Sequence, residues 1–192
     1  MPRYTSFFLP KAMKRRNTFI LLFLSLFSCK QENPISNPIF NLLGEESTGI
    51  TFRNDLTYTE QVNPYTFRNF YNGAGVALGD INNDGLTDIF LAGNQTSNRL
   101  YLNQGNLQFK DITDQAGLNS TGYWSTGVSM ADVNGDGLLD IYVCKSGLSG
   151  GEKRHNELFL NNGDLTFSEK SKAYGLAEEG LSQHAVFFDF DK

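Results

Sequence analysis

An internal repeat limits the possible folds of this chain more than any other feature of the sequence. Residues 75–90 read GVALGDINNDGLTDIF, and residues 127–142 read GVSMADVNGDGLLDIY, an offset of 52 positions. Each is followed by a second shared segment, NRLYLNQG at 98–105 and NELFLNNG at 156–163. A third copy begins at 185–192 with AVFFDFDK. A repeat of this length cannot bury its own apolar face, so it must stack against neighbouring copies.

Each copy predicts four short strands, because short β-branched and aromatic runs alternate with Gly, Asn and Asp turns. The expected strands are 76–79, 89–92, 99–103 and 107–111 in the first copy, and 128–131, 141–145, 157–161 and 165–169 in the second. Four strands in roughly 50 residues match one blade of a β-propeller. We therefore predict an all-β fold with two propeller blades and the start of a third. Because propellers close with about 4 to 8 blades, the propeller is incomplete and the chain is expected to be an N-terminal fragment.

The loop after the first strand of each copy is rich in oxygen ligands. The first loop places carboxylate or amide oxygens at positions 1, 3, 5 and 9 and a backbone carbonyl at position 7, from Asp80, Asn82, Asp84, Asp88 and Leu86. The second loop repeats these positions with Asp132, Asn134, Asp136, Asp140 and Leu138. The third copy has Asp189 and Asp191 at positions 1 and 3. Calcium takes six to eight oxygen ligands, which such a loop with added water can supply.

Electrostatics supports a cation in these loops. Two carboxylates about 4 Å apart repel by roughly 4 kcal/mol at an effective dielectric of 20, so a loop with three of them would splay or protonate without one. A metal-free turn is the simpler alternative, since Asp, Asn and Gly favour turns. An EF-hand is excluded because its position 12 requires Glu, and Leu91 and Val143 stand there. Magnesium suits the loops less well, because it prefers a strict octahedron.

The loops, the Gly-Val lead-ins and the Leu-Tyr/Phe-Leu-Asn-x-Gly segments resemble FG-GAP/VCBS repeats, the repeats of integrin α-chain-like propellers. The resemblance covers residues 72–192 and, weakly, 49–52. It implies a β-propeller that binds Ca²⁺ through the loop positions named above, in a family that is common among exported bacterial proteins. Further domains, including an ASPIC/UnbV-type C-terminal domain, accompany such repeats in other members.

The N-terminal region predicts export. Residues 13–29 combine the basic stretch 14–16, the apolar stretch 19–27 and the ending LFSC, which resembles a bacterial lipobox with Cys29 as the lipidated residue. A signal cleaved elsewhere and a short buried helix are the alternatives. Residues 1–12 are expected to be a misassigned start, since Met13 begins a complete signal. Residues 30–48 form a polar tether, and its KQE start at 30–32 resembles tags that direct lipoproteins to the outer face of the outer membrane.

Charge and motif content restrict the function. The net charge of −5 argues against nucleic acid as a partner, because phosphate binding needs a basic surface. Neither His155 nor His184 belongs to a catalytic motif, and His184 stands where Gly75 and Gly127 stand in the other copies, which favours a packing variation. We expect no enzyme activity but a calcium-stabilised envelope module for protein or glycan binding. The alternative is a scaffold for an envelope carbohydrate-active or other enzyme whose catalytic domain lies beyond residue 192.

Overall fold

A computed structural model describes residues 39–119, 124–146 and 155–191. The chain divides into two units, Met1–Asn41 and Leu42–Lys192. The predicted start region, the signal peptide at 13–29, Cys29 and residues 30–38 of the tether lie outside the described residues. The last tether residues, 45–48, form a helical turn rather than a flexible segment. In the described part of the chain, no helix has the length and apolar character needed to cross a membrane.

The unit Leu42–Lys192 contains two four-stranded antiparallel sheets, each a simple meander. The first sheet consists of β1 (Val76–Gly79), β2 (Asp88–Leu91), β3 (Arg99–Asn103) and β4 (Phe109–Asp111). The second consists of β5 (Ser125–Ala131), β6 (Asp140–Lys145), β7 (Glu157–Asn161) and β8 (Phe167–Glu169). Two one-turn helices, α1 (Glu45–Thr48) and α2 (Thr113–Ala116), precede the two sheets. The prediction of two four-stranded all-β repeats is confirmed, and the sheets are consistent with propeller blades.

The strand boundaries differ from the sequence prediction at a few places. The last strand of each sheet starts two residues later than predicted, because Leu107 and Leu165 have left-handed backbones with φ of 60° and 66° and belong to the preceding turn. β2 and β6 begin one residue earlier, at the two Asp residues of loop position 9. β5 begins at Ser125, three residues earlier than predicted. Its pairing with β6 shifts register between Ser125 and Val128, and the strand continues on both sides of this shift. Apolar periodicity does not reveal any of these backbone features.

One hydrophobic core joins the two sheets. It includes Phe90 and Leu100 from the first sheet and Ile141 and Val143 from the second, all with exposed fractions of 0%. A separate cluster around Tyr142 covers the other face of β6 with residues of the third copy, including Phe187. Every residue of β6 is therefore buried. The repeats bury their faces against each other, as stacked repeats must.

Cys144 belongs to this second cluster and is 1% exposed. Burial raises the pKa of its thiol above the usual value, which disfavours the reactive thiolate. Cys144 is therefore a buried thiol with little tendency to react.

Successive repeats touch backbone to backbone at the start of their first strands. A Cβ placed on Gly75 would meet the carbonyl oxygen of Thr126 and lie 2.8 Å from the nitrogen of Val128. A Cβ on Gly127 would make the same kind of collision with the third copy, at 2.8 Å from the Cα of His184. The Gly of the repeated lead-in is thus required by the close approach of the next repeat.

The segment before the first sheet packs like the segment before the second. A Cβ on Gly49, after α1, would lie 2.5 Å from the carbonyl oxygen of Phe109, and one on Gly117, after α2, would lie 3.7 Å from that of Phe167. Phe109 and Phe167 start the outer strands of their sheets. Residues 45–52 therefore take the place of a preceding repeat's connecting segment, which agrees with the weak resemblance at 49–52.

We predict that Gly75→Ala lowers the free energy of unfolding by about 1 to 3 kcal/mol, because the added methyl group must push two backbones apart. Chemical denaturation of the purified protein measures this change. Gly44→Ala is the matched control, since no atom lies within 4 Å of its Cβ position and its φ of −83° suits any residue. Equal effects of the two substitutions would mean that the repeats do not approach at Gly75.

Candidate metal site

Each candidate metal loop connects the first two strands of its sheet. In the first, Asp80 follows β1 and Asp88 begins β2. Ile81 is 2% exposed and anchors the loop in the shared core. Gly85 and its counterpart Gly137, at position 6, have φ of 83° and 85°, a left-handed backbone that Gly adopts without steric cost and that turns the loop sharply.

A turn that the sequence analysis missed occurs at position 4 of both loops. There Asn83 and Gly135 have φ of 57° and 76°. Both residue types tolerate the left-handed region, Gly because it lacks a Cβ and Asn because its short polar side chain can bond locally.

The position 1 carboxylate organises the backbone of each loop. Asp80 accepts hydrogen bonds from the N–H groups of Asp84 at 3.1 Å and Gly85 at 2.7 Å. In the second loop, Asp132 accepts from the corresponding groups at 3.2 and 2.8 Å and from Gly135 at 2.7 Å. These hydrogen bonds lower the pKa of Asp132 and keep it ionised, and the bond from Gly137 has the largest effect.

Positions 3 and 5 are paired in both copies. The side-chain amide of Asn82 donates to Asp84 Oδ2 at 3.0 Å, and the other oxygen of Asp84 accepts from the N–H of Leu86 at 2.8 Å. The second loop repeats both bonds at 2.9 Å, with Asn134 donating to Asp136. The two loops therefore share these internal hydrogen bonds, although three of their nine residues differ.

The position 9 carboxylates are buried. Asp88 is 0% exposed; its Oδ2 accepts from the N–H of Ile81 at 3.0 Å and its Oδ1 from that of Asn103 at 2.8 Å. Burial raises its pKa above the usual 3.8, the two backbone hydrogen bonds oppose this rise, and the charges of Asp84 and Asp80 add to it. Asp140 repeats these contacts, and burial likewise raises its pKa. Burial therefore disfavours the ionised form of the position 9 carboxylate in each loop.

Asn103 and Asn161, at the ends of β3 and β7, are part of the site and were not predicted. Beyond the N–H bond to the buried Asp, Asn103 donates its side-chain amide to the carbonyl oxygen of Thr87 at 2.8 Å. Asn161 donates to two carbonyl oxygens, those of Leu139 at 3.2 Å and Ile81 at 2.8 Å, and so joins the second loop to the first. The available sequence signal was the Asn repeated in both Leu-x-Leu-Asn-x-Gly segments, which marks an equivalent position in the two copies but does not reveal its contacts.

The donor set fits calcium in its chemistry. Among the described residues, no group of three or more His, Cys, Asp or Glu side chains is gathered closely enough to hold a metal ion. Calcium loops, however, also use amide and backbone oxygens. Rotating the side-chain amide of Asn82 by half a turn would present its oxygen beside Asp84, and the carboxylate oxygens that accept one N–H retain a free lone pair. The calcium ligands of both loops therefore stay predictions.

Only the first three loop positions of the third copy lie within the described residues. Asp189 and Asp191 are exposed, and the N–H of Asp191 approaches Asp189 Oδ1 at 3.4 Å. The structure describes no residues for positions 5 to 9 of this copy, so these two residues also stay predicted ligands.

Comparison with known proteins identifies the repeat. The family model for the FG-GAP-like repeat matches residues 80–143, from position 1 of the first loop to β6. Cartilage acidic protein 1 is 36% identical to this chain in Mus musculus and 34% identical in Xenopus tropicalis and Homo sapiens, over 95 residues each. These residues are 50% of this chain and span only 14% of each relative. Residues 80–143 are thus FG-GAP-like repeat sequence, and the resemblance to this family is confirmed.

We predict that Asn161→Ala lowers the free energy of unfolding by about 1 to 3 kcal/mol, because it leaves two carbonyl oxygens at the loop junction without a donor. Denaturant unfolding of the purified protein measures the loss. Asn162→Ala is the matched control: its exposed side chain contacts only residues of the adjacent turn and β8, and we expect a change within about 0.5 kcal/mol. A similar loss in both variants would contradict the bridging role of Asn161.

Proposed function

We propose that this chain provides part of a calcium-stabilised β-propeller module that binds protein or glycan ligands in the cell envelope. The observation that carries this proposal is the repetition of one hydrogen-bond network in two loops, each with three carboxylates. In each loop a buried carboxylate lies behind two more accessible ones, and a cation would offset the repulsion among the three.

In this proposal, Asp80, Asn82, Asp84, Asp88 and the carbonyl oxygen of Leu86 hold the first ion, and their counterparts Asp132, Asn134, Asp136, Asp140 and Leu138 hold the second. Calcium, when bound, would supply the positive charge that offsets carboxylate repulsion. The residues themselves connect the end of β1, the start of β2 and the end of β3. A cation at this point would therefore stiffen three strand ends at once.

Binding is favoured over catalysis by the roles of the polar side chains. The loop carboxylates are engaged by backbone N–H groups, and FG-GAP-like repeats are typically non-catalytic modules. The matched segment covers only 14% of each relative, so the relatives do not define the ligand of this protein, and binding of protein or glycan is our proposal. Exposed loops on a rigid scaffold are a common arrangement for recognition.

We further propose that Cys29 is lipidated and anchors the protein in the bacterial outer membrane. The LFSC ending after an apolar stretch supports this assignment. Growth of the expressing bacterium with labelled palmitate should label the full-length protein, and Cys29→Ser should remove the label and release the protein from the membrane fraction. Labelling that persists in Cys29→Ser would refute this anchor.

We predict that excess calcium stabilises the protein against thermal unfolding. Calcium at 100 times its dissociation constant contributes about 2.7 kcal/mol per site. The combined substitution Asp84→Ala and Asp136→Ala should abolish this gain, because each loop loses a carboxylate ligand. Scanning calorimetry in calcium and in a chelator measures the difference, and isothermal titration with calcium measures binding directly.

Asp55→Ala is the matched control for this experiment, since Asp55 is an exposed carboxylate whose ion pair with Arg53 lies outside both loops. It should retain the full calcium effect. The effect should also shrink as the pH falls through the raised pKa values of Asp88 and Asp140, because protons then compete with calcium. A protein with no calcium-dependent stability at neutral pH would refute the proposed metal sites.

A further inference from the structure

We propose that a pocket where three successive repeats meet binds the ring of a neutral carbohydrate. This inference specifies the ligand class and the site of the binding module proposed above, and it rests on that proposal. It is carried by the lining of the pocket and by exposed tyrosines beside it.

The pocket has a volume of about 310 Å³ and is lined by residues 72–76, 126–128 and 183–184. The first stretch leads into β1, the second lies near the start of β5, and the third directly precedes the third copy at residue 185. The candidate metal loops follow the other ends of β1 and β5. The pocket is therefore separate from the predicted calcium sites, and its volume is within the range of small-molecule sites.

A Gly in one repeat makes room for a side chain of the next. A Cβ on Gly127 would lie 2.8 Å from Nδ1 of His184, so the imidazole occupies space that a side chain at 127 would take. The first two copies have Gly at this position, and the third has His184. His184 is exposed and lines the pocket, so its imidazole is open to a ligand as well as packed against Gly127.

The polar side chains of the wall are suited to hydroxyl groups. They are Asn72, Thr126, Gln183 and His184, and the wall includes no Asp, Glu, Lys or Arg among the described residues. Gln183 donates its amide to the hydroxyl of Ser146 at 3.1 Å, which leaves its oxygen as an acceptor. Amide and imidazole groups offer both donors and acceptors, as sugar hydroxyls do. The wall has no lysine or arginine, the side chains that bind anionic groups most strongly, so a neutral ligand suits it better than an anionic one.

Two exposed tyrosines are held by the buried Phe70, at the start of the first wall stretch. Tyr71 directly precedes Asn72 of the wall and is 63% exposed, and Tyr58 is 59% exposed. Tyr58 stacks on the fully buried Phe70 at 5.2 Å between ring centroids, and Tyr71 meets the edge of Phe70 at 5.1 Å. The second wall segment starts at the same cluster, because Trp124, two residues before Thr126, lies 5.5 Å from Phe70.

An exposed aromatic ring that is already held in place loses little conformational freedom when a ligand packs against it. The face of a pyranose ring presents C–H groups, while its rim presents hydroxyls. Tyrosine supplies an apolar ring with a polar tip, which matches this division. Aromatic rings beside an uncharged wall of amides and an imidazole therefore favour a neutral sugar over an ion.

The test is a glycan array probed with the full-length protein in excess calcium. The array carries neutral hexose oligosaccharides, with sulfated and uronic acid glycans for comparison. The neutral glycan bound best is then titrated by calorimetry into the protein and into Tyr71→Ala and His184→Ala. We expect each substitution to weaken binding at least about tenfold, the loss of one good aromatic or hydrogen-bonding contact.

Tyr65→Ala is the matched control, because Tyr65 is 98% exposed on the same segment but is separated in sequence from Asn72 of the pocket wall, whereas Tyr71 directly precedes it; this variant should bind as the unaltered protein does. Neutral glycan binding that survives both Tyr71→Ala and His184→Ala would overturn the assignment to this pocket. A preference for charged glycans, or no glycan binding, would overturn the ligand class. Calcium-dependent thermal stability is measured on the same samples, so failure of the sugar site is distinguished from failure of the calcium-stabilised module.

Discussion

The buried carboxylate at the start of the second strand is the constraint on which each repeat depends. Asp88 and Asp140 are enclosed by protein, and each accepts one N–H from the beginning of its loop and one from the end of the third strand. A single side chain thus connects three strand ends that are separate in the sequence. Because burial disfavours its charge, the carboxylate can remain there ionised only with these donors or with a cation nearby.

Neighbouring repeats contact each other at both ends of the sheets. At one end the contacts are between the carboxylate loops, and at the other they are backbone contacts at glycines. Asn161 bridges the two loops, and the side-chain amide of Asn83 donates to the carbonyl oxygen of Gly137 at 3.1 Å. At the opposite end, Gly75 and Gly127 allow backbones to touch. With the shared core between them, these contacts make each sheet a support for its neighbour. The first sheet still exposes Val76 at 60% and Leu78 at 63%, whereas β6, covered on both faces, exposes nothing.

This arrangement separates two kinds of chemistry. The loops with carboxylates lie after the first strands, and the uncharged pocket with its tyrosines lies before them. A cation that stiffens the strand ends at one side can therefore support a recognition surface at the other without contacting the ligand. The proposed function and the proposed sugar site depend on this separation, and each involves residues that the other does not use.

The sequence by itself determined the repeat, the four strands of each copy and the place of the loop between the first two strands. Loop turns depend on residues a few positions apart, so the pattern of Asp, Asn and Gly was enough to place these loops, although not the left-handed turn at position 4. The same reasoning failed at Leu107 and Leu165, because an apolar residue in a turn looks like the start of a strand. Only the tertiary structure decided the contacts of Asn161 with Ile81, 80 positions away. It also decided the pocket, because stretches more than 50 residues apart meet there only after the repeats have packed.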